Sequence, residues 1–313
     1  MLLNILFIVV GIALVLWGAD RLTDGAVAVA EKMKMPQIVI GLTIVAMGTS
    51  MPEFCVSFIS ALKGTSDLAV GNIVGSNIFN ALLIVGVSAL VAPMTIMETT
   101  VRKDIPFALV ASALLLIMCL DGDISRLDAG ILFVMFLIFM FMYMTLKGAK
   151  KQGADAEEAI EGEGKKPMAT WLSVVWILVG LLCLIGGSNL FVEGATAVAT
   201  NLGVSEAVIG LTIVAGGTSL PELATSVVSA RKGNSGIAIG NALGSNVFNI
   251  LAILGITGMI TPMTLKGITY IDLSMLVISI MLVWLFSFTK YKIERWEGAV
   301  LTAVFVGYIY SLL

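Results

Sequence analysis

Histidine is absent from all 313 residues of this chain. That removes His-based acid–base catalysis and the commonest transition-metal ligand. Charge is scarce as well: 12% of residues are charged and 58% are apolar, with a mean hydropathy of +1.04. A soluble domain carries about a quarter charged residues, so a soluble fold and a nucleic-acid partner are both excluded. Cysteine occurs three times, at Cys55, Cys119 and Cys183, each in an apolar stretch. Three widely spaced thiols suit neither a disulfide framework nor a zinc site, and they read as small buried hydrophobes. The apolar N-terminal run has no basic segment before it and no small-x-small cleavage site after it. It therefore reads as a first spanning helix and not as a signal peptide.

What the chain does have is long uncharged intervals. No charge falls between Asp67 and Glu98 or between Lys232 and Lys266. Between Lys34 and Lys63 the only charge is Glu53, and between Glu206 and Arg231 the only one is Glu222. About 20 apolar residues cross a bilayer as a helix. Charge and turn residues divide the chain into ten predicted spans, at 3–30, 36–62, 68–92, 105–120, 127–147, 171–200, 205–230, 236–261, 270–289 and 296–313. Segment 148–169, hydrophilic and of mixed charge, reads as a solvated linker. Its acidic run (Asp155, Glu157, Glu158, Glu161, Glu163) lacks EF-hand ligand spacing. Lys and Arg concentrate in cytoplasmic loops. With the N-terminus outside, fourteen basic residues fall in cytoplasmic connections and three in external ones, so both termini are expected outside the cytoplasm.

The chain also repeats itself. Residues 39–53, VIGLTIVAMGTSMPE, match 208–222, VIGLTIVAGGTSLPE, at 13 of 15 positions with an offset of 169. The same offset lays GNIVGSNIFN (71–80) on GNALGSNVFN (240–249), with 7 of 10 identical. It also brings Gly18, Asp24 and Gly25 onto Gly187, Glu193 and Gly194. The expected architecture is an all-α membrane protein with a first five-helix repeat at 1–147, a cytoplasmic linker at 148–169 and a second repeat at 170–313. Five is odd, so the second repeat should enter the membrane inverted, a device of secondary transporters.

The repeated motifs carry the chemistry. Pro52 has no N–H for the carbonyl four residues back, so the second span should open around Met47 to Thr49, with Gly48 easing the bend. Broken backbone is tolerated in a membrane only where it lines a cavity or touches protein. The break would gather carbonyls near Ala46 and Thr49, the hydroxyls of Thr49 and Ser50, and the Glu53 carboxylate. Ala215, Thr218, Ser219 and Glu222 repeat the set beside Pro221. Oxygen ligands with carboxylates suit hard cations such as Ca²⁺ and Na⁺. Each central ionised carboxylate costs about 2.5–3.5 kcal/mol on insertion scales, so a bound cation is the natural partner, with a proton as the alternative. Ser76 and Asn80 lie four apart on one helical face, as do Ser245 and Asn249, while Asn77 is expected to cap the broken helix. Asp20 and Asp24, with Arg21 between, read as interfacial anchors or as a lure for cations.

At these motifs, G-T-S-x-P-E and G-S-N-x-F-N in each half, the sequence resembles the sodium/calcium exchanger family of the calcium/cation antiporters. The resemblance spans essentially the whole chain. It implies ten helices with broken core spans and four ion sites at the centre, and a first and sixth helix that slide over the rest. Glu53 and Glu222 would bind Ca²⁺ with the Thr49 and Thr218 carbonyls. Na⁺ sites would draw on Ala46, Ser50, Ser245 and Glu53, and on Ala215, Ser219, Ser76 and Glu222, with a central position between Asn80 and Asn249. Asn at 249, where potassium-dependent members carry Asp, points to a potassium-independent type, and the short linker suggests a microbial protein. The expected function is Na⁺/Ca²⁺ antiport by a single chain that needs no cofactor and no partner beyond lipid. H⁺- or K⁺-coupled exchange is the alternative, and a passive cation channel the contender from another class. An enzyme is weakest, because no nucleophile stands beside a base.

Overall fold

The computed structural model describes residues 1–144, 168–203, 213 and 215–312. Hydrocarbon offers backbone amides no water, so helix is the only open-ended way to satisfy them, and every membrane-length element among the described residues is accordingly a helix. Helix α1 (Leu2–Met33) is followed by α2 (Gln37–Thr49) and α3 (Met51–Leu62), which meet at a 49° bend. Next come α4 (Ser66–Val91), α5 (Thr100–Asp121) and α6 (Arg126–Met144). The second part holds α7 (Thr170–Asn201), α8 (Ala215–Thr218), α9 (Leu220–Arg231), α10 (Ser235–Ile260), α11 (Tyr270–Ser287) and α12 (Arg295–Leu312).

Seven of the described helices are long and apolar enough to cross a membrane, eight if α2 and α3 form one bent span. Two of the ten expected spans are not in that number. Much of 205–230 lies outside the described residues. Span 296–313 forms α12, whose two charges, glycines and tyrosines dilute its hydropathy. The 148–169 linker lies almost wholly outside the described residues.

The 169-residue offset is visible in local geometry. Gly64 and Gly233 close α3 and α9 with left-handed φ of 77° and 80°, a conformation open to glycine without strain. At each, two backbone bonds fold back on the helix end: Gly64 N–H to Ala61 O and Thr65 N–H to Ser60 O, and Gly233 N–H to Ala230 O and Asn234 N–H to Ser229 O. Helices α4 and α10 both widen into a π-turn, at Phe79–Ile84 and Phe248–Ile253. Two antiparallel sheets pair β1 (Met94–Thr95) with β4 (Lys292–Ile293) and β2 (Asp123–Ile124) with β3 (Met263–Thr264). The offset carries β1 onto β3 and β2 onto β4, so each sheet ties one repeat to the other.

Helices α4 and α10 are the centre of the molecule. In their membrane-length windows 72% and 83% of residues are buried, against 22% and 28% for α1 and α7. The latter two lie against each other on the periphery. They run antiparallel along a glycine seam spaced by seven residues: Gly11 meets Gly187, Gly18 meets Gly180, and Gly25 meets Ser173. A Cβ on Gly18 would sit 2.8 Å from the Gly180 carbonyl oxygen, and one on Gly187 would sit 2.8 Å from that of Gly11. Small residues let backbones touch in a membrane, where packing replaces the hydrophobic drive between helices.

One end of α1 is tied to α9. Lys232 reaches Asp20 at 2.6 Å and Asp24 at 2.8 Å, and Arg21 pairs with Asp20 at 2.5 Å. The Arg21 guanidinium also lies over Trp17 and Trp176, at 5.9 and 5.3 Å from the ring centres. Asp20 and Asp24 therefore already hold cationic partners.

Overpacking the seam should cost about 1–3 kcal/mol. Gly18→Ala is expected to lower the melting temperature of the purified protein. Gly130→Ala, where an added Cβ meets nothing within 4 Å, should leave it nearly unchanged.

Candidate cation site

Proline sets the site. The second span is interrupted at Ser50 (φ −82°, ψ 10°) and its counterpart at Ser219 (φ −88°, ψ 7°). This is one residue beyond the Met47–Thr49 opening expected from the sequence. Proline at the second position of the new helix loses an N–H that had no helical partner there anyway. The chain thus stays helical through Thr49 and turns at the serine before restarting. The carbonyl that Pro221 cannot serve belongs to Gly217, and the Ser188 hydroxyl of α7 donates to it. In the other half Ala19 stands at the equivalent of Ser188 and offers no hydroxyl.

The restart places each glutamate in the first turn of a helix, Glu53 in α3 and Glu222 in α9. The positive end of the helix dipole favours a carboxylate there, by up to ~2 kcal/mol in partly buried geometry. Both glutamates are fully buried. Their hydrogen bonds cross between the halves. Ser50 Oγ donates to Glu222 Oε1 at 2.8 Å, and Ser219 Oγ donates to Glu53 Oε1 at 3.0 Å. Each break therefore supplies a hydroxyl to the carboxylate of the other half. Thr218 also interacts with Glu53.

The surrounding oxygens come from α4 and α10. Ser76 Oγ lies 2.9 Å from Ser219 Oγ, and Asn249 Nδ2 donates to Asn77 Oδ1 at 3.0 Å and, at 3.4 Å, to Ser76 Oγ. Asn77 does not cap a helix. It sits inside α4, where its amide donates to the Asn246 carbonyl at 3.3 Å, while Asn246 donates to the Asn77 carbonyl at 3.2 Å. The crossing of α4 and α10 at their paired asparagines supplies carbonyl acceptors that outcompete a cap. The one Thr49 hydroxyl hydrogen has three acceptors within reach, the Val45 and Ala46 carbonyls at 3.2 and 3.3 Å and Asn241 Oδ1 at 3.0 Å. Ala46 is fully buried beside this turn, and Ala215 opens α8 in the other half.

Several buried polar atoms in this cluster have no protein partner. They are Oε2 of both glutamates, Oδ1 and Nδ2 of Asn80, and Oδ1 of Asn246 and Asn249. A buried acceptor left bare costs about 1–3 kcal/mol, and more if charged. Five of the six atoms are oxygens, all uncharged but the two carboxylates. Among the described residues no three Asp, Glu, Cys or His side chains gather into a metal site. That donor set fits a hard cation carried as cargo and offers nothing to a soft transition metal. Of the twelve residues singled out in the sequence, Glu53, Glu222, Ser50, Ser219, Ser76, Asn249 and Thr218 are joined by direct interactions. Thr49 and Ser245 interact with Glu222, and Asn80 is fully buried one turn beyond Ser76 on α4.

Two cavities approach this cluster. One, of about 720 Å³, runs between α7 and the breaks and is lined by Pro52, Cys55, Asn189, Glu193 and Thr218. The other, of about 470 Å³, is lined by Asn72, Ser76, Gly216, Asp272 and Tyr308. Glu193 thus lines the first cavity, whereas Asp24, its counterpart at the repeat offset, is held by Lys232.

Comparison with known proteins decides the family. A family profile described as "Sodium/calcium exchanger protein" matches residues 3–145 and 172–313. The chain belongs to the sodium/calcium exchanger family. It is 33% identical over 349 residues to "Sodium/calcium exchanger MaX1" of Methanosarcina acetivorans, covering 99% of this chain and 98% of that one. It is 37% identical over 320 residues to "Inner membrane protein YrbG" of Escherichia coli, covering 100% and 97%. Its fold matches solved structures of the sodium-calcium exchanger NCX_Mj with a TM-score of 0.86 at 30% identity, covering 100% of this chain and 99% of that one. This exchanger is accordingly a multi-pass membrane protein of a transporter family whose work is cation exchange involving Ca²⁺.

Neutralising either buried carboxylate would leave the cluster with one acid in place of two. Glu53→Gln or Glu222→Gln is expected to abolish Ca²⁺ transport while the protein still inserts and folds. Transport retained in either variant would take that residue out of the site.

Proposed function

We propose that the chain exchanges Ca²⁺ for Na⁺ across the cell membrane by alternating access. Ten spans would form two inverted five-helix repeats, 1–147 and 170–313, joined by a cytoplasmic linker at 148–169, with both termini extracytoplasmic and a single chain sufficient. The observation that carries this reading is the crossed pair of serine–glutamate bonds at two proline breaks, surrounded by buried oxygens without partners. Two carboxylates supply a charge of −2, which one Ca²⁺ or two Na⁺ would neutralise. Glu53 and Glu222, with the Thr49 and Thr218 carbonyls, would hold Ca²⁺, an ion that takes 6–8 oxygens. Na⁺ would use Ala46, Ser50, Ser245 and Glu53 on one side and Ala215, Ser219, Ser76 and Glu222 on the other. Asn80 and Asn249 would flank a central position.

Competition for the same carboxylates makes the exchange obligatory. An empty site leaves two like charges in a low-dielectric core, so reorientation without an ion is unfavourable. Full burial of both glutamates argues against a passive channel. Protons are the competing counter-ion, because each carboxylate keeps one oxygen free to be protonated. The hydroxyls that already surround each carboxylate favour Na⁺. Uncharged Asn at both 80 and 249 agrees with a potassium-independent type.

The deciding experiment is ⁴⁵Ca²⁺ flux in proteoliposomes with Na⁺, K⁺ and H⁺ gradients imposed one at a time. Uptake should follow an opposed Na⁺ gradient and ignore K⁺. Uptake that follows pH and ignores Na⁺ would replace this reading with H⁺/Ca²⁺ exchange.

A further inference from the structure

Two asparagines outside the proposed ligand set make the same unusual contact. Asn72 of α4 donates through Nδ2 to the backbone carbonyl of Glu53 at 3.3 Å and to Ser57 Oγ at 2.9 Å. Asn241 of α10, at the 169-residue offset, donates through Nδ2 to the backbone carbonyl of Glu222 at 3.1 Å and to Ser226 Oγ at 3.0 Å. Neither amide bonds to a carboxylate oxygen. Each instead grips the restarted helix at two points one turn apart, a second-turn serine and the carbonyl of the glutamate in its first turn. That turn is where helix ends have fewest backbone constraints, and it is where both glutamates sit.

We propose that Asn72 and Asn241 are positioning residues that fix the Glu53 and Glu222 carboxylates against the oxygens of α4 and α10. The spacing explains how. Asn72, Ser76 and Asn80 are four residues apart in turn, as are Asn241, Ser245 and Asn249, so each series starts as one stripe along its helix. The amide at the head of the stripe clamps the carboxylate-bearing helix. One turn further on, the same stripe presents the serine hydroxyl. The clamp therefore sets the separation between carboxylate and hydroxyl, which a coordinated ion reads to within a few tenths of an ångström.

The two clamps are unequal. Asn241 is fully buried, and its Oδ1 also accepts the Thr49 hydroxyl at 3.0 Å. It thereby joins the break of the first half to the carboxylate turn of the second. Asn72 is only half-buried and lines the 470 Å³ cavity. Loss of Asn241 should accordingly weaken ion binding more than loss of Asn72.

The proposal rests on the Ca²⁺ reading of the site, so binding and flux are both measured. Asn72→Leu and Asn241→Leu keep the branching of the side chain and remove the donor. The readouts are equilibrium ⁴⁵Ca²⁺ binding to purified protein and Ca²⁺-dependent flux in proteoliposomes, with the ion-free melting temperature as the structural control. For Asn241→Leu the Ca²⁺ dissociation constant and apparent KM should rise about tenfold, the scale of one lost hydrogen bond. The maximal rate per folded molecule should fall much less. Asn72→Leu should show a smaller rise, and Ser226→Ala, which spares the bond to the Glu222 carbonyl, should stay within about twofold of the parent. If Asn241→Leu does not fold, Asn241→Ser removes the reach to that carbonyl with less disturbance and should show the same rise. Unchanged Ca²⁺ affinity in the asparagine variants, or a fall in melting temperature alone, would overturn the proposal. A parent protein that binds Ca²⁺ without Na⁺-driven flux would instead overturn the counter-ion assignment, and the binding constants would still decide the clamp.

Discussion

Two buried glutamates, each hydrogen-bonded to a serine from the other half of the chain, hold the architecture together. Ser50 to Glu222 and Ser219 to Glu53 form one crossed unit, and most of the surrounding structure can be read as its support. The carboxylates need a helix N-terminus within the membrane-spanning region, and a proline in each half supplies the break. Broken backbone must be covered by protein, and α4 and α10, the most buried helices, cover it. Those helices in turn cross at Asn77 and Asn246, whose side chains bond to each other's backbone carbonyls.

The energetics favour a site over a scaffold. Crossed serines satisfy one oxygen of each carboxylate, and the helix dipoles offset part of the charge burial. The second oxygen of each carboxylate stays bare, as do amide atoms of Asn80 and Asn249. A core that left so many buried acceptors unpaired for no purpose would sacrifice several kcal/mol, whereas a hard cation would satisfy them together. The periphery is built on a different principle. Helices α1 and α7 touch through glycine, carry little buried surface, and are tied at one end by Lys232.

Much of this was legible in the sequence because duplication printed it twice. The near-identity of 39–53 and 208–222 located both carboxylates, both prolines and both serines before any coordinate. Glu53 and Glu222 stood out because an uncharged interval of that length rarely holds a lone acid. The break itself was read one residue early, since proline chemistry names the carbonyl that loses its donor but not where the chain turns. Asn77 was read as a cap because its bond to Asn246 depends on how α4 and α10 cross, which spacing within one helix cannot reveal. Asn72 and Asn241 lie within the repeated Gly-Asn motif, but spacing along one helix cannot show their role, because their partners are backbone carbonyls on another helix. The glycines at 18, 25, 187 and 194 were aligned by the repeat, while the seam they form became visible only with α1 and α7 side by side.

The central claim is that one Ca²⁺ sits between the two carboxylates. Anomalous diffraction from crystals soaked in Ca²⁺ tests it most directly. The account predicts a single strong peak about 2.3–2.6 Å from oxygens of both Glu53 and Glu222, lost when Na⁺ is raised. A peak bound to only one glutamate, or one at Glu193 with nothing between the two breaks, would contradict it.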